Sequence, residues 1–168
     1  MTRMALFLAA IVLASLPFVR QGLAASGLWA TERYTAQVRI EPCPEASDSL
    51  CGTIVWLWDP LDEDGQPKRD RENPDRDKRG RLLVGTAILQ GFHTDGTGQW
   101  QGGHIYNPED GATYEGTLRL KGPGLLEVTG CVLMFCRSQT WRSAASLCPA
   151  GFPTASASAD RSIGFTAP

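Results

Sequence analysis

The chain has 168 residues, with 16 Lys and Arg against 18 Asp and Glu and a formal net charge of −2. Nucleic-acid phosphates demand clustered Lys and Arg, so a nearly neutral chain without a basic stripe is a poor candidate for a nucleic-acid binder. The length suits one domain and excludes a multi-domain machine.

The first 25 residues have the order of a secretory signal. Arg3 precedes an uncharged apolar run over 5–19, and the small residues over 22–26 offer cleavage after Ala24 or Ala25. The run is shorter than the roughly 20 residues that a membrane-spanning helix needs, and no later stretch is apolar enough. We therefore predict a signal peptide over 1–25 and a periplasmic or secreted protein without a membrane span.

Five cysteines follow this leader: Cys43, Cys51, Cys131, Cys136 and Cys148. Oxidising conditions outside the cytoplasm make disulfide bonds the expected state. The spacing predicts Cys43–Cys51 and Cys131–Cys136 bridges, each across a turn, with Cys148 free. A long-range pairing stays open, because four cysteines allow three connectivities. The spacings do not match the tighter Cys and His elements of zinc sites, so no metal site is predicted.

Short apolar runs between strong turn signals predict an all-β domain. Strands are expected over 27–34, 36–41, 52–58, 81–89, 99–106, 114–121, 125–131 and 136–142. Eight short strands at this spacing indicate a sandwich or barrel. We predict a single-domain, antiparallel up-and-down β-barrel over 26–142. The segment 143–168 is rich in Ala, Ser, Pro and Gly and is predicted to be a disordered tail.

The segment from Asp59 to Lys78 interrupts this rhythm. Thirteen of its twenty residues are charged, which leaves little for it to bury. A solvated, mobile loop is expected, with a lid over a cavity mouth as the alternative. A calcium loop is excluded, because Gly65 at the sixth position would place Pro60 and Arg71 where acidic ligands are needed.

The chain contains no H-E-x-x-H, G-x-S-x-G or phosphate-loop motif. The enzymatic alternative is a cell-envelope glycoside-cleaving enzyme that uses paired carboxylates, either Glu109 with Asp110 or Asp70 with Asp75. Acidic residues in turns usually cap backbone N–H groups instead. We therefore predict a non-enzymatic protein, with no catalytic residue and no cofactor assigned.

Aromatic residues are spread over most of the predicted strands. Alternate residues of a strand face the same side, and on this basis we predict an internal cavity lined by Trp56, Trp58, Trp100, Tyr106, Tyr114 and Leu118. An eight-stranded barrel is just wide enough to be filled by side chains or to hold one small ligand. The predicted function is binding of a small apolar or amphipathic ligand. The other alternative is a structural or protein-interaction module with a filled barrel, and the oligomeric state is not indicated.

The segment Gly27-Leu28-Trp29 is a G-x-W at the start of the first predicted strand. It resembles the opening of lipocalin-like and streptavidin-like barrels, in which the Trp plugs one end and a late Arg lies across its ring. The resemblance implies that Trp29 is a structural plug and that Arg142, or alternatively Arg137, covers it.

Four longer segments carry a second resemblance: Leu50 to Leu57, Asn73-Pro74-Asp75, Gly102 to Tyr114 and Gly130 to Trp141. Together they resemble the bacterial domain of unknown function 2147 family, from about Gly27 to Arg142. The resemblance implies a small exported barrel with a lipocalin-like fold and small-ligand binding, and it supplies no reaction. Cys148 and the long tail depart from the pattern.

Overall fold

The computed structural model describes residues 24–147. Most of the predicted signal peptide, Cys148 and the remainder of the predicted tail lie outside these residues. The described part contains eight strands, namely β1 (Gly27–Ala30), β2 (Ala36–Cys43), β3 (Ala46–Leu57), β4 (Ala87–Thr94), β5 (Gln99–Asn107), β6 (Ala112–Gly122), β7 (Leu125–Val132) and β8 (Phe135–Ser143). Two short 3-10 turns cover Arg76–Lys78 and Ala144–Ser146. Within residues 24–147, no helix is long and apolar enough to cross a membrane.

The strands form a closed barrel in chain order, each antiparallel to the next. This confirms the predicted antiparallel up-and-down β-barrel of eight strands. Three strands differ clearly in their bounds: β1 ends at Ala30 rather than near Tyr34, and β3 begins at Ala46 rather than at Gly52. The third is β4, which begins at Ala87 rather than near Arg81. The preceding residues pair with the long loop instead: Leu82 bridges Arg69, and the Leu83 amide donates to the Lys68 carbonyl.

Side chains fill the centre of the barrel. Phe92 is fully buried, and a Cβ atom added at Gly103 or Gly116 would lie 2.5 or 2.6 Å from its ring. Trp100 and Leu118, which are paired across β5 and β6, are also buried. Glycine at these two strand positions therefore makes the room that the phenyl ring of Phe92 occupies.

Two β-bulges invert the strand faces that simple alternation predicts. In β3, Val38 of β2 pairs with Ile54 but Gln37 pairs with Trp56, so Val55 is an extra residue. In β5, Gln101 and Gly102 together oppose one residue of β6, and Gly102 has a φ of +75°. An extra residue exchanges the inward and outward positions of the strand beyond it.

Trp29 lies at one end of the barrel and is buried against the core. Its indole Nε1 donates to the carbonyl of Ala25 at 2.8 Å, and Ala25 is also buried. Cleavage of the predicted leader after Ala24, rather than after Ala25, retains this acceptor. The packing is that of a plug, although Arg142 does not cover it. Trp141 faces inward, so the next residue of the strand faces outward and is exposed.

The barrel is closed by a short seam. Strand β1 has only four residues, and it pairs with β8 through Trp29 with Ser143 and Ala30 with Arg142. Over the described residues, the stretch of β8 from Phe135 to Thr140 pairs with β7 alone. This stretch is exposed along its length, so one edge of β8 is open.

Both predicted disulfides are present. Cys43 is bonded to Cys51 across the β2–β3 turn, and Cys131 to Cys136 across the β7–β8 turn. Each bridge joins neighbouring antiparallel strands near their connecting turn. Disulfides are compatible with a periplasmic or extracellular protein, since these compartments are oxidising.

Candidate functional site

The charged segment between β3 and β4 packs against the outside of the barrel. Asp70 is fully buried and Asn73 is almost so. Most of the segment is exposed, as its composition predicts, and these two buried residues are the exceptions. Its internal structure is held by polar contacts, among them the Asp62 side chain, which accepts from the amides of Asp64 and Gln66.

The buried Asp70 carboxylate is the centre of a hydrogen-bond network. Its Oδ1 accepts from the Tyr106 hydroxyl at 2.5 Å, and its Oδ2 accepts from Asn73 Nδ2 at 2.8 Å. Arg81 donates to Oδ2 from Nε at 2.8 Å and from Nη2 at 2.7 Å. Arg81 also lies over the Tyr106 ring, 5.7 Å from its centroid. The network joins the loop to β5, because Tyr106 is its one member on a strand.

The network sets the ionisation of both acidic groups. Burial alone would raise the pKa of Asp70, but hydrogen bonds from Tyr106, Asn73 and Arg81, with the Arg81 charge, outweigh it and hold that pKa below its ordinary value. Burial, and next the bond to the Asp70 carboxylate, raise the pKa of Tyr106 to about 12. Asp70 is therefore ionised and Tyr106 neutral at physiological pH.

Stability should fall in alkali because of Tyr106. An unfolded Tyr loses its proton near pH 10, whereas folded Tyr106 keeps it to about pH 12. Between these values the folded state binds more protons, so the free energy of unfolding decreases as the pH rises. The expected loss is about 2 kcal/mol, read from urea unfolding at pH 9 to 12.

The Tyr106→Phe variant is the control for this alkaline loss. It should be less stable at pH 9 and show a flatter decline above pH 10. An identical decline in both proteins would mean that another group causes it.

The loop also contacts the β5–β6 turn closely. Gly111 has a φ of +70°, and a Cβ atom there would lie 1.9 Å from the Glu72 carbonyl oxygen. The segment Asn73-Pro74-Asp75 and the turn Asn107-Pro108-Glu109-Asp110-Gly111, which are far apart in the sequence, are thus neighbours. Glycine is required at position 111 for both backbone conformation and space.

A polar pocket of about 220 Å³ lies between this loop and the outer faces of β4, β5 and β6. Its walls are Asn73, Pro74, Asp75, Lys78, Arg81, Ala87, Gln90, His104, Tyr106 and Thr113. His104 pairs with Gln90 across β5 and β4, and both side chains are exposed. The Asp70 network fixes one wall of the pocket, since Asn73, Arg81 and Tyr106 belong to both.

The six residues predicted to line an internal cavity do not form one group. Trp100 and Leu118 lie in the packed core, while Trp56 and Trp58 are exposed and pack edge to face with each other, ring centroids 6.1 Å apart. The bulge at Val55 turns Trp56 outward, and Trp58 follows the end of β3. The bulge at Gly102 likewise places Tyr106 on the face opposite to Trp100, beneath the loop.

Tyr114 is half-buried, and its hydroxyl donates to Asp110 Oδ2 at 2.7 Å. Asp110 Oδ1 also accepts from the Ala112 amide, which is a turn-capping contact. Burial alone would raise the pKa of Asp110, but the hydrogen bonds that it accepts, first from Tyr114 and then from the Ala112 amide, together outweigh burial and lower that pKa. Among the described residues, no cluster of three or more His, Cys, Asp or Glu is placed to hold a metal ion.

A wider depression of about 570 Å³ lies beside Trp29, lined by residues that include Ala24, Ser26, Leu120, Lys121 and Ser143. It borders Ala24, where the described chain begins, so its outer wall is not defined. The polar pocket is bounded by described residues alone and is the better candidate site. The sequence did not identify Asn73 or Arg81 as site residues. The one related indication was the segment Asn73-Pro74-Asp75 in the family resemblance.

No curated protein matches the chain in sequence. Its structure is similar to that of a protein from the human pathogen Helicobacter pylori, described as belonging to the lipocalin family. The two are 23% identical, with a TM-score of 0.59 over 70% of this chain and 81% of that one. This likeness shows the fold alone. The model of a family described as uncharacterised proteins conserved in bacteria matches residues 27–143. Since that match spans well over half of this chain, the chain belongs to the domain of unknown function 2147 family.

Proposed function

We propose that the protein is an exported, non-enzymatic binder of a small amphipathic acid, whose polar end occupies the pocket between the loop and β4, β5 and β6. The observation that carries this proposal is the pocket itself, preformed on a wall held by the buried Asp70 network. Preformed concave sites with a few fixed polar groups are typical of small-molecule binding. The lipocalin-like fold is consistent with this class of function.

The interior of the barrel supports ligand binding less well than the pocket. A ligand at the level of Phe92 would have to displace a ring that already packs against Gly103 and Gly116. Removing a buried aromatic ring from its place costs roughly 3–5 kcal/mol. The outer pocket requires no such displacement.

The lining indicates the chemistry of the ligand. Four lining residues offer donors to a ligand: the Lys78 amine, the Arg81 guanidinium, the His104 ring and the Gln90 amide. The Asn73 amide is not one of them, since its Nδ2 donates to Asp70 and to the Tyr106 hydroxyl. The lining carboxylate, that of Asp75, is paired with Lys78 at 2.9 Å. A carboxylate on the ligand would find charge-assisted donors here. The volume is below the roughly 300–1,000 Å³ of sites for drug-sized ligands, which favours a small acid with a short apolar part against Pro74 and Ala87.

Calorimetric titration with octanoate and benzoate tests the proposal, with octanol and benzyl alcohol as uncharged controls. We expect the acids to bind and the alcohols to bind more weakly or not at all. His104→Ala should weaken binding about tenfold, the value of one charge-assisted hydrogen bond. His104 is exposed, so the variant should fold normally.

His93→Ala is the matched control, since His93 is an exposed histidine on β4 outside the pocket lining. It should bind the acids as the unchanged protein does. Equal affinity in both histidine variants would place the ligand elsewhere. If ligand changes the fluorescence of the buried Trp100, and the change persists in His104→Ala, the ligand binds inside the barrel.

The enzymatic alternative has less support. A glycoside-cleaving enzyme needs a general acid whose pKa is raised. Asp70, Asp75 and Asp110 all have a lowered pKa, and each accepts hydrogen bonds that hold it ionised. These three carboxylates position backbone and loop, as acidic residues in turns usually do.

A further inference from the structure

The β7–β8 turn presents four apolar side chains to solvent. Leu133, Met134 and Phe135 are 94%, 84% and 77% exposed, and Val132 is 45% exposed. The Cys131–Cys136 disulfide closes the base of this turn. We call residues 132–135 the apolar tip. Scattered exposed apolar residues need no explanation, but four in succession at the end of a hairpin do.

The backbone of the tip is poorly suited to its sequence. Leu133 has a φ of +53°, a conformation that Gly or Asn adopts at lower cost. Its side chain packs against almost nothing, so burial does not offset this cost. Among residues 24–147, the other non-glycine residue with positive φ is Tyr34, in the β1–β2 turn, and it is 45% exposed. Folding alone gives no reason for leucine at position 133.

Tyr34 and the apolar tip lie at the same end of the barrel. Odd-numbered strands of an up-and-down barrel run in one direction, so the ends of β1 and β7 lie at one rim. Strand β8 pairs with both β1 and β7, but β1 ends at Ala30, opposite Arg142, so the β7–β8 turn projects beyond the end of β1. The exposed Trp56 and Trp58 follow at the same rim, at the end of β3.

We propose that the apolar tip inserts into the surface of a lipid bilayer and holds the protein there peripherally. From Cys131 to the end of the turn at Leu133 the chain advances by two residues, a rise of roughly 7 Å at strand geometry. This matches the roughly 5–10 Å to which apolar faces of interfacial segments are buried. Arg137, the first charged residue after the tip, would then lie at the level of the headgroups.

The extent of the apolar surface favours a bilayer over a protein partner. A stable protein interface takes about 20–30 residues from each side. Behind the tip, Arg137, Ser138, Gln139 and Thr140 are polar and exposed, so the apolar surface ends within the four tip residues. A small convex apolar surface of this kind can be surrounded by the fluid acyl chains of a bilayer. A few side chains are enough for reversible peripheral binding to a membrane.

Co-sedimentation with vesicles of equal parts phosphatidylcholine and phosphatidylglycerol tests the proposal, using protein purified after export. We expect the unchanged protein to sediment with the vesicles. Leu133→Asn should lower its partition coefficient about tenfold, the effect of withdrawing one large apolar side chain from the bilayer. Asn tolerates positive φ, so the thermal midpoint should not fall.

Leu82→Asn is the matched control, because Leu82 is a 44% exposed leucine in the β3–β4 loop and outside the tip. It should bind vesicles normally. Absence of vesicle binding by the unchanged protein, or equal binding by Leu133→Asn, would overturn the proposal. Self-association in ultracentrifugation that Leu133→Asn abolishes, without vesicle binding, would overturn it in favour of a second copy of the chain.

Discussion

Replacing Trp29 with alanine is expected to lower the free energy of unfolding by about 3–5 kcal/mol. The indole is buried at the end of the barrel, and its Nε1 donates to the Ala25 carbonyl. The substitution therefore removes a large buried ring and leaves that carbonyl without its donor. Urea unfolding at pH 7 followed by far-ultraviolet circular dichroism measures the change.

Trp58→Ala is the matched control for Trp29→Ala. Trp58 is 74% exposed, so its truncation should cost less than about 1 kcal/mol, most of it from the edge-to-face contact with Trp56. Similar losses in both variants would contradict the assignment of Trp29 as a plug. So would a Trp29→Ala protein that keeps its stability but no longer binds ligand.

Arg81→Met should cost about 3 kcal/mol at pH 7. Asp70 would remain buried without its counter-charge, and breaking a buried ion pair from one side costs roughly 3–5 kcal/mol. We expect the lower end of this range of energies, because the Arg81 side chain is 36% exposed while that of Asp70 is fully buried. The variant should also raise the pKa of Asp70, since the guanidinium now helps to lower it.

Two further variants make the Arg81 prediction specific. Lys68→Met breaks the exposed Lys68–Asp59 pair and should cost less than about 1 kcal/mol. Adding Asp70→Asn to Arg81→Met removes the buried charge and should recover part of the lost stability. If Arg81→Met costs no more than Lys68→Met, the network does not hold the loop on the barrel.

The barrel could be predicted because its signals are local. Alternating apolar residues and turns such as Asn107-Pro108 set the number and order of strands, and the G-x-W resemblance indicated the plug. The short spacing of Cys43 and Cys51 likewise matched a hairpin. Each of these signals lies within a few residues of the structure that it specifies.

The predicted cavity failed because alternation does not survive an extra residue in a strand. In β5 the bulge has a sequence signal, because it occurs at a glycine, Gly102, whose φ is positive. In β3 the extra residue is Val55, an ordinary strand residue, so nothing in the sequence indicated that Trp56 faces outward. The direction of each aromatic side chain depends on the register with the neighbouring strand, which is a tertiary property.

The candidate site was hidden in a segment whose composition predicts solvent exposure. Asp70 is one of eight acidic residues between Asp59 and Lys78, and nothing local distinguishes it from the others. It is buried because Tyr106, thirty-six positions later, provides a hydroxyl at the right place. Composition averages over a segment, whereas a buried network is made by single residues.

The short seam between β1 and β8 has a consequence for the order of folding. Its two residue pairs join positions more than one hundred residues apart, while the other strand pairs form between neighbours in the chain. Closing a long loop costs the most chain entropy, and here few contacts compensate for it. We therefore expect the cylinder to be completed last, after a curved open sheet has formed from β1 to β8. Until then both the first and the last strand are free edges, and the folding chain passes through a stage in which it can exchange strands with its neighbours.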